Sequence, residues 1–228
     1  MKQTTPFFPI VLGVILLFSC NSTADKQQEN QPPADTTSTD QEAATKKRIV
    51  FFGNSLTAGY GLETQADAFP ALIQEKIDSL ELPYLCINAG LSGETSAGGK
   101  DRIDWLLRDP IDVFVLELGA NDGLRGIETQ TTYQNLKEIA EKVRAAYPDA
   151  KLVLAGMLVP PSMGQVYFDQ FAAIFPKLAE EMDMVLVPFL LDKVAGEQAL
   201  NQSDGIHPTA EGQTHIAETI WPHLEPLL

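Results

Sequence analysis

The sequence contains few cysteines and few positively charged residues, and each shortage argues against a class of protein. Its two cysteines are Cys20 and Cys86, so it has neither a disulfide framework nor a cysteine-based zinc site. Cys86 stands in an apolar, strand-like run and is interpreted as a small core residue. Lysine and arginine number 16 against 31 acidic residues, which gives a formal net charge of −15. That charge argues against nucleic acid as a partner.

The apolar run at residues 7–18 follows the basic Lys2 and is too short to span a bilayer, which takes about 20 residues. It is typical of the apolar region of a secretory signal. The run ends in Leu17-Phe18-Ser19-Cys20, which resembles a bacterial lipoprotein signal. The resemblance implies that residues 1–19 are a signal peptide and that Cys20 is lipidated. The protein would then be bound to a membrane of the bacterial cell envelope as a periplasmic or outer-membrane lipoprotein. The alternative is an ordinary cleaved signal with an incidental cysteine.

Residues 21–45 contain no Val, Ile, Leu, Met or aromatic residue. Such a stretch cannot bury enough apolar surface to offset the entropy that is lost on ordering. Residues 20–45 are therefore predicted to form a disordered tether that begins at Cys20. Residues 46–228 remain as one domain, which is long enough to bury a core and is expected to be monomeric.

Apolar runs alternate with helical periodicities within residues 46–228. A continuous apolar run that ends at a glycine, as residues 49–52 do at Gly53, is typical of a strand buried on both faces of a parallel sheet. Five strands are predicted, at residues 48–52, 84–88, 113–118, 151–155 and 184–187. Five helices are predicted, at residues 69–80, 100–107, 131–147, 167–181 and 210–224. This alternation predicts an α/β fold with helices on both faces of a parallel sheet.

Ser55 lies just beyond the first predicted strand, in the turn Gly53-Asn54-Ser55. In open α/β sheets, ligands bind at the carboxyl ends of the strands. A serine at this place can direct its hydroxyl into a crevice, with its own backbone N–H beside it. Serine is also a common helix cap, and for Ser55 alone this alternative stays open.

Three further polar blocks follow predicted strands or precede the last helix, at residues 88–95, 118–123 and 204–208. Acyl transfer by a serine needs an adjacent base, a partner that fixes the tautomer of the base and preorganised donors for the oxyanion. Ser55, His207 and Asp204 supply the serine, the base and the partner of the base. The Asp-x-x-His spacing lets one tight turn present both side chains on one side. The backbone N–H groups of Ser55 and Gly93 and the side-chain amide of Asn121 are available as donors.

Each of these residues also has an ordinary explanation. Asp204 could cap a helix, Asn121 could be a turn former, and His207 could be a surface residue. No single block is strong evidence, but their joint presence after successive predicted strands favours a hydrolytic site.

The four blocks resemble the SGNH (GDSL-type) hydrolase family, in its bacterial thioesterase I/lysophospholipase/arylesterase branch. The resemblance extends over essentially all of residues 46–228. It implies a three-layer α/β/α flavodoxin-like fold, with a five-stranded parallel sheet in the order 2-1-3-4-5 and with no metal or organic cofactor. It also implies Ser55 as the nucleophile, His207 as the base and Asp204 as the residue that orients the base. Ser55, Gly93 and Asn121 would form the oxyanion hole.

The chain departs from the family pattern at Asn54, where the family usually has aspartate. Asparagine is nearly isosteric and still accepts a hydrogen bond, but it lacks the charge. The position is not one of the four family roles, so the departure bears on the tuning of Ser55 more than on the presence of activity.

The expected function is that of a secreted, lipid-anchored serine esterase, which hydrolyses acyl esters such as lysophospholipids or small fatty or aryl esters. Apolar residues on the loops after the third and fourth strands are predicted to line an acyl groove: Leu124, Leu158, Val159 and Pro160. Ordinary packing of these loops onto the core is the alternative. Two other functions remain open, an acetyl-esterase of polysaccharides and a non-catalytic binding module on the same fold.

Overall fold

Five strands form one parallel sheet in residues 46–228, the part of the chain that the computed structural model describes. The strands are β1 (Lys47–Gly53), β2 (Tyr84–Gly90), β3 (Val113–Glu117), β4 (Lys151–Ala155) and β5 (Val185–Val187). Their order is β2-β1-β3-β4-β5, and all neighbouring strands are parallel. The predicted fold class and strand order are thus confirmed. The predicted signal peptide, the lipidation site Cys20 and the predicted tether lie outside the described residues.

Eight α-helices connect or follow these strands in the described part of the chain. They are α1 (Ser55–Ala58), α2 (Phe69–Ser79), α3 (Ser96–Leu106), α4 (Ala120–Leu124), α5 (Thr129–Ala146), α6 (Gln165–Ala172), α7 (Ile174–Glu181) and α8 (Ala210–Leu224). Helix α2 packs against α8, whereas α3 packs against α5, which also contacts α7. None of the helices within residues 46–228 is both long enough and apolar enough to cross a membrane.

Strand β1 lies inside the sheet and is buried on both faces, as two adjacent phenylalanines show. Successive side chains of a strand point to opposite faces of the sheet. Phe51 packs edge-on against Phe69 of α2, with ring centroids 5.5 Å apart. Phe52 faces α3, where the guanidinium of Arg102 lies 4.1 Å from its ring centroid. Because helices cover both faces, residues 49–52 of β1 have to be apolar, as the sequence predicts.

Helix boundaries differ from the predictions where glycine or proline alters the pattern. The predicted helix at residues 167–181 is two helices, because Pro176 has no N–H to donate and its ring would clash with the carbonyl of Ala172. Helix α6 ends at that residue. Helix α3 begins earlier than predicted, at Ser96, although the pair Gly98-Gly99 weakens the helical signal there.

Two short helices, α1 and α4, were not among the predicted elements, and both carry residues of the predicted site. Each is only four or five residues long, which is too short to show a helical periodicity in the sequence. Cys86 is partly buried against the hydrophobic core, and burial raises the pKa of its thiol to about 12. A thiol with so high a pKa is a poor nucleophile, which agrees with its interpretation as a packing residue.

Candidate active site

The predicted site residues lie beyond the carboxyl ends of adjacent strands. Ser55 opens α1 just after β1, Gly93 follows β2, and Asn121 lies in α4 just after β3. Strands β2 and β3 flank β1 on its two sides. The strand that follows β1 in the sequence is thus on one side of β1 and the next strand is on the other. At such a reversal of strand order, the loops enclose a crevice where α/β proteins bind ligands.

Ser55, His207 and Asp204 are connected by hydrogen bonds. Nε2 of His207 lies 3.1 Å from Oγ of Ser55, and Nδ1 of His207 lies 2.7 Å from Oδ2 of Asp204. The first contact joins residues that are 152 positions apart in the sequence, so it forms only when the domain has folded. Each ring nitrogen of the histidine thus has one partner, and a proton on Nδ1 leaves Nε2 free to accept the serine proton.

The turn that carries Asp204 and His207 is shaped by Asp204 itself. Its Oδ1 accepts the backbone N–H groups of Ile206 (2.9 Å) and His207 (3.0 Å), while Oδ2 is left for the imidazole. Hydrogen bonds from the His207 ring and from these two N–H groups hold the pKa of Asp204 well below its usual range. The carboxylate is therefore ionised throughout the range in which esterases work, and it favours a proton on Nδ1 of His207.

Tyr60 is a member of the site that the sequence did not reveal. Its ring lies against the imidazole of His207, with centroids 4.6 Å apart. The side-chain amide of Gln202 donates to the carbonyl of Tyr60 at 2.7 Å, which ties the segment after α1 to the histidine turn. Nothing in the local sequence marks Tyr60, because its partner is distant along the chain.

The three predicted oxyanion donors are at neighbouring strand ends. The backbone N–H groups of Ser55 and Gly93 donate to no acceptor within residues 46–228. Gly93 has a φ of +80°, and a Cβ built there would have no neighbour within 4 Å. The side of Gly93 on which a Cβ would stand is therefore open, and its backbone conformation favours glycine. Nδ2 of Asn121 donates one hydrogen bond, of 3.0 Å, to the carbonyl of Glu94, and its second hydrogen remains available.

The loop that carries Gly93 is fixed by two arginines. Nε of Arg102 donates to Oε1 of Glu94 at 2.7 Å, and its NH2 group also donates to the carbonyl of Ala89. Arg125 donates to the carbonyl of Gly93 itself, at 3.0 Å. A carbonyl that is held in this way also fixes the direction of the peptide planes beside it, so the loop is preorganised rather than free to turn.

Sequence and structural similarity decide the family. The model of the GDSL-like Lipase/Acylhydrolase family matches residues 51–215. The chain belongs to this family. It is an enzyme, a serine hydrolase that acts on ester bonds.

Similar proteins support this assignment over nearly their whole length. The chain is 40% identical to Esterase TesA of Pseudomonas aeruginosa, over 82% of this chain and 92% of TesA. It is also 40% identical to thioesterase 1/protease 1/lysophospholipase L1 of Escherichia coli K12, over 82% of this chain and 87% of that protein. The crystal structure of the esterase EstA from Pseudoalteromonas sp., inhibited by monoethylphosphonate, superposes with a TM-score of 0.74 at 33% identity, over 79% of this chain and 98% of EstA.

The GDSL-like hydrolase has a buried carboxylate behind Ser55, and sequence analysis missed it. Glu117 ends β3 and is 0% exposed. Its Oε1 accepts Nδ2 of Asn54 at 2.7 Å, and its Oε2 accepts the N–H of Asn54 at 3.0 Å and the hydroxyl of Thr57 at 2.8 Å. Burial raises the pKa of Glu117 to about 7, although these hydrogen bonds oppose the shift. The residue was hidden in the sequence at the end of an apolar run.

Only some of the predicted groove residues reach the surface of the hydrolase. Leu124 is 44% exposed, Leu158 is 40% exposed, and Pro160 is also exposed. Val159 is only 4% exposed, and its Cγ1 lies 2.4 Å from where a Cβ on Gly123 would stand. Its side chain therefore packs beneath α4. The structure corrects the expectation for Val159: it is a core residue and does not line a surface groove.

Within residues 46–228, no three His, Cys, Asp or Glu side chains are grouped so that they could hold a metal ion. The two other histidines, His215 and His223, lie in α8 and border a separate cavity of about 440 Å³. Neither belongs to the Ser55 site.

Asp204→Asn should separate the two roles of Asp204. The amide oxygen of asparagine can still accept the N–H groups of Ile206 and His207, but the charge beside Nδ1 of His207 is lost. We expect kcat for ester hydrolysis to fall by about 10⁴, while urea unfolding shows a folded protein. Asp192→Asn removes the same charge from another exposed loop and should keep the parent kcat. Retention of more than about a tenth of kcat in Asp204→Asn would mean that Asp204 only shapes the turn.

Proposed function

We propose that the enzyme hydrolyses carboxylic esters through an acyl intermediate on Ser55. The observation that supports this proposal most directly is the continuous path from Oγ of Ser55 through Nε2 and Nδ1 of His207 to the carboxylate of Asp204, with distances of 3.1 and 2.7 Å. A binding module on the same fold has no need for this arrangement.

In the proposed reaction, Nε2 of His207 takes the hydroxyl proton while Oγ of Ser55 forms a bond to the carbonyl carbon. Negative charge develops on the carbonyl oxygen, which accepts the N–H groups of Ser55 and Gly93 and the free amide hydrogen of Asn121. His207 then gives its proton to the leaving alkoxy oxygen as the bond from that oxygen to carbon breaks. Water attacks the acyl carbon, transfers a proton to His207, and releases the acid when that proton returns to Oγ.

Apolar side chains around the site support an acyl substrate. Of eight large hydrophobic side chains that are exposed within the described residues, five are on the loops that carry or border the site: Tyr60, Leu91, Leu124, Leu158 and Ile206. We call these five residues the apolar rim. Exposed apolar residues that gather at one place mark a binding surface more often than scattered ones do. The rim differs from the groove that was expected from the sequence: it keeps Leu124 and Leu158, omits Val159 and Pro160, and adds Tyr60, Leu91 and Ile206.

The proposed substrates are lysophospholipids and small fatty or aryl esters. The relatives named esterase, thioesterase and lysophospholipase act on acyl groups, which agrees with an apolar rim beside the nucleophile. Acetylated polysaccharide is the alternative. A glycan cleft would be expected to present tryptophan, but Trp105 and Trp221 both lie in helices, at the end of α3 and in α8.

We also propose that the enzyme is exported and lipid-anchored in the bacterial cell envelope through Cys20. The support is the sequence alone: a short apolar run that ends in Leu17-Phe18-Ser19-Cys20, followed by a polar segment before the domain begins. An anchored esterase would work close to membrane lipids, which suits lysophospholipid as a substrate.

Ser55→Ala should abolish covalent catalysis. We expect kcat to fall by about 10⁴–10⁶, the scale for the loss of a catalytic nucleophile, and labelling by a fluorophosphonate probe to disappear. Ser92→Ala is the matched control, because Ser92 is exposed on the neighbouring oxyanion loop; it should label as the parent does. Mass spectrometry that finds the label on another serine would refute the assignment of Ser55.

Leu124→Ser and Leu158→Ser should flatten the preference for long acyl chains. Each buried methylene contributes about 0.8 kcal/mol, so four more carbons on a well-covered chain would raise kcat/KM by roughly 200-fold. The measurement is kcat/KM for p-nitrophenyl esters from acetate to palmitate, with the acetate ester as the internal reference. Leu80→Ser is the control, since Leu80 is exposed at the end of α2, toward the opposite edge of the sheet. A parent enzyme that prefers acetate throughout would favour the polysaccharide acetyl-esterase.

Cys20→Ala should release the protein from the membrane fraction or leave its signal peptide uncleaved. A single acyl chain binds a membrane only marginally, so stable retention of the parent requires more than one chain on the residue. Fractionation and mass spectrometry of the mature N-terminus measure both effects. A cleaved Cys20→Ala protein that stays with the membrane would show that another part of the molecule holds it there.

A further inference from the structure

Glu117 is buried without a positively charged partner, and all its side-chain hydrogen bonds go to the turn that carries Ser55. It forms no salt bridge with any residue in the described part of the chain. The side chains that donate to it, Asn54 and Thr57, are uncharged. The triad residues His207 and Asp204 contact Ser55 and each other, not Glu117. A buried carboxylate is costly unless donors surround it, so its position calls for an explanation.

The structure makes room for this contact at Gly53. Gly53 lies opposite Glu117 in the register of β1 and β3, and a Cβ on Gly53 would stand 2.4 Å from Oε2 of Glu117 and 2.1 Å from Oγ1 of Thr57. Any larger residue would therefore push the carboxylate and the threonine away. Glu117 reaches across this glycine from β3 to the start of α1.

The contacts of Glu117 leave one N–H of the turn free. Oε2 of Glu117 accepts the N–H groups of Asn54 (3.0 Å) and Thr57 (3.4 Å). Oδ1 of Asn54 accepts the N–H of Leu56 at 3.0 Å. The N–H of Ser55, which the proposed mechanism assigns to the oxyanion, is the one left without an acceptor in the turn. Glu117 thus fixes the direction in which that N–H points.

Asn54 suits this carboxylate because its amide has a donor and an acceptor on separate atoms. Nδ2 donates to Oε1 of Glu117 at 2.7 Å, while Oδ1 accepts from the N–H of Leu56. An aspartate could accept from Leu56 but could not donate to an ionised Glu117. Two carboxyl groups in contact cannot both ionise without a large cost, so one of them would have to keep a proton.

We propose that Glu117 is a positioning residue for the nucleophile turn, and that Asn54 is matched to it so that the turn keeps its geometry without a proton shared between the two side chains. This inference rests on the proposed role of Ser55. It adds that the alkaline limit of catalysis depends on which side chain faces Glu117.

Reciprocal substitutions test the match. In Asn54→Asp, the two carboxyl groups share one proton, and kcat should fall about tenfold per pH unit once that proton is lost. In Glu117→Gln, the new amide has to turn its NH₂ group toward Nδ2 of Asn54 or toward the backbone N–H groups, so kcat should be lower at every pH. In the double variant N54D/E117Q, the introduced amide can donate to the introduced carboxylate and still accept the backbone N–H groups.

The double variant should therefore regain the alkaline profile of the parent and exceed the kcat of Glu117→Gln. The profiles are measured from pH 6 to 10 on a soluble acyl ester, for the parent and the three variants. Urea unfolding of the same four proteins at pH 9 measures the coupling between residues 54 and 117 through the free energy of unfolding, which does not depend on activity. The proposal would be overturned if, in the double variant, the changes in activation free energy and in free energy of unfolding both equal the sums of the changes in the two single variants. So would an alkaline profile of Asn54→Asp identical to that of the parent.

The two measurements separate this inference from the proposed function. Coupling in unfolding without any Ser55-dependent hydrolysis would support the match between Asn54 and Glu117 and refute the role of Ser55. Ser55-dependent hydrolysis without coupling would refute the match alone.

Discussion

A turn that presents a serine nucleophile has to satisfy its backbone N–H groups inside the protein and still leave one of them unpaired. Buried N–H groups are nearly always paired, and the first turn of a helix has no partners of its own for them. Here the carboxylate of Glu117 accepts the N–H groups of Asn54 and Thr57, and Asn54 accepts that of Leu56. The N–H of Ser55 is left without an acceptor in the turn. Only a glycine at position 53 leaves room for the carboxylate of Glu117. The geometry of the nucleophile turn therefore depends on both the end of β1 and the end of β3.

The other donors are held by contacts between loops rather than by the sheet. Arg102 binds Glu94 and the carbonyl of Ala89, and Arg125 binds the carbonyl of Gly93, so the oxyanion loop is restrained before, at and after the glycine. Asn121 donates to the same loop. Its neighbour Asp122 is fully buried and accepts the N–H of Ser96 at the start of α3. The parallel sheet brings the strand ends together, and these polar contacts then set the directions of the donors. A site of this kind is preorganised before any substrate binds.

The parts of this fold that could be predicted are those whose burial leaves a pattern in a short stretch of sequence. Apolar strands bounded by glycine predict a buried parallel sheet. The triad follows from a serine after the first strand, the Asp-x-x-His block before the last helix, and the family resemblance. Glu117 could not be predicted, because its role depends on a space across Gly53 that no local pattern encodes. Val159 was expected to line a groove because it is apolar and follows the fourth strand, but these two features do not distinguish an exposed loop residue from a buried one. Tyr60 was missed because its contact with His207 spans most of the domain.

Charge and apolar surface act on the proposed substrate in different ways. A chain with a formal net charge of −15 is not attracted to anionic lipid surfaces, whose potential favours basic proteins. The apolar rim, by contrast, gains free energy from burial regardless of charge. Approach to a lipid substrate would therefore rely on the rim and, where Cys20 carries lipid, on tethering. For the same reason, neutral or zwitterionic acyl esters suit this enzyme better than acidic ones, because an anionic leaving group would have to enter the site against the net charge of the protein. Arg125, which donates to the carbonyl of Gly93, places a positive charge at the oxyanion loop and so opposes this repulsion.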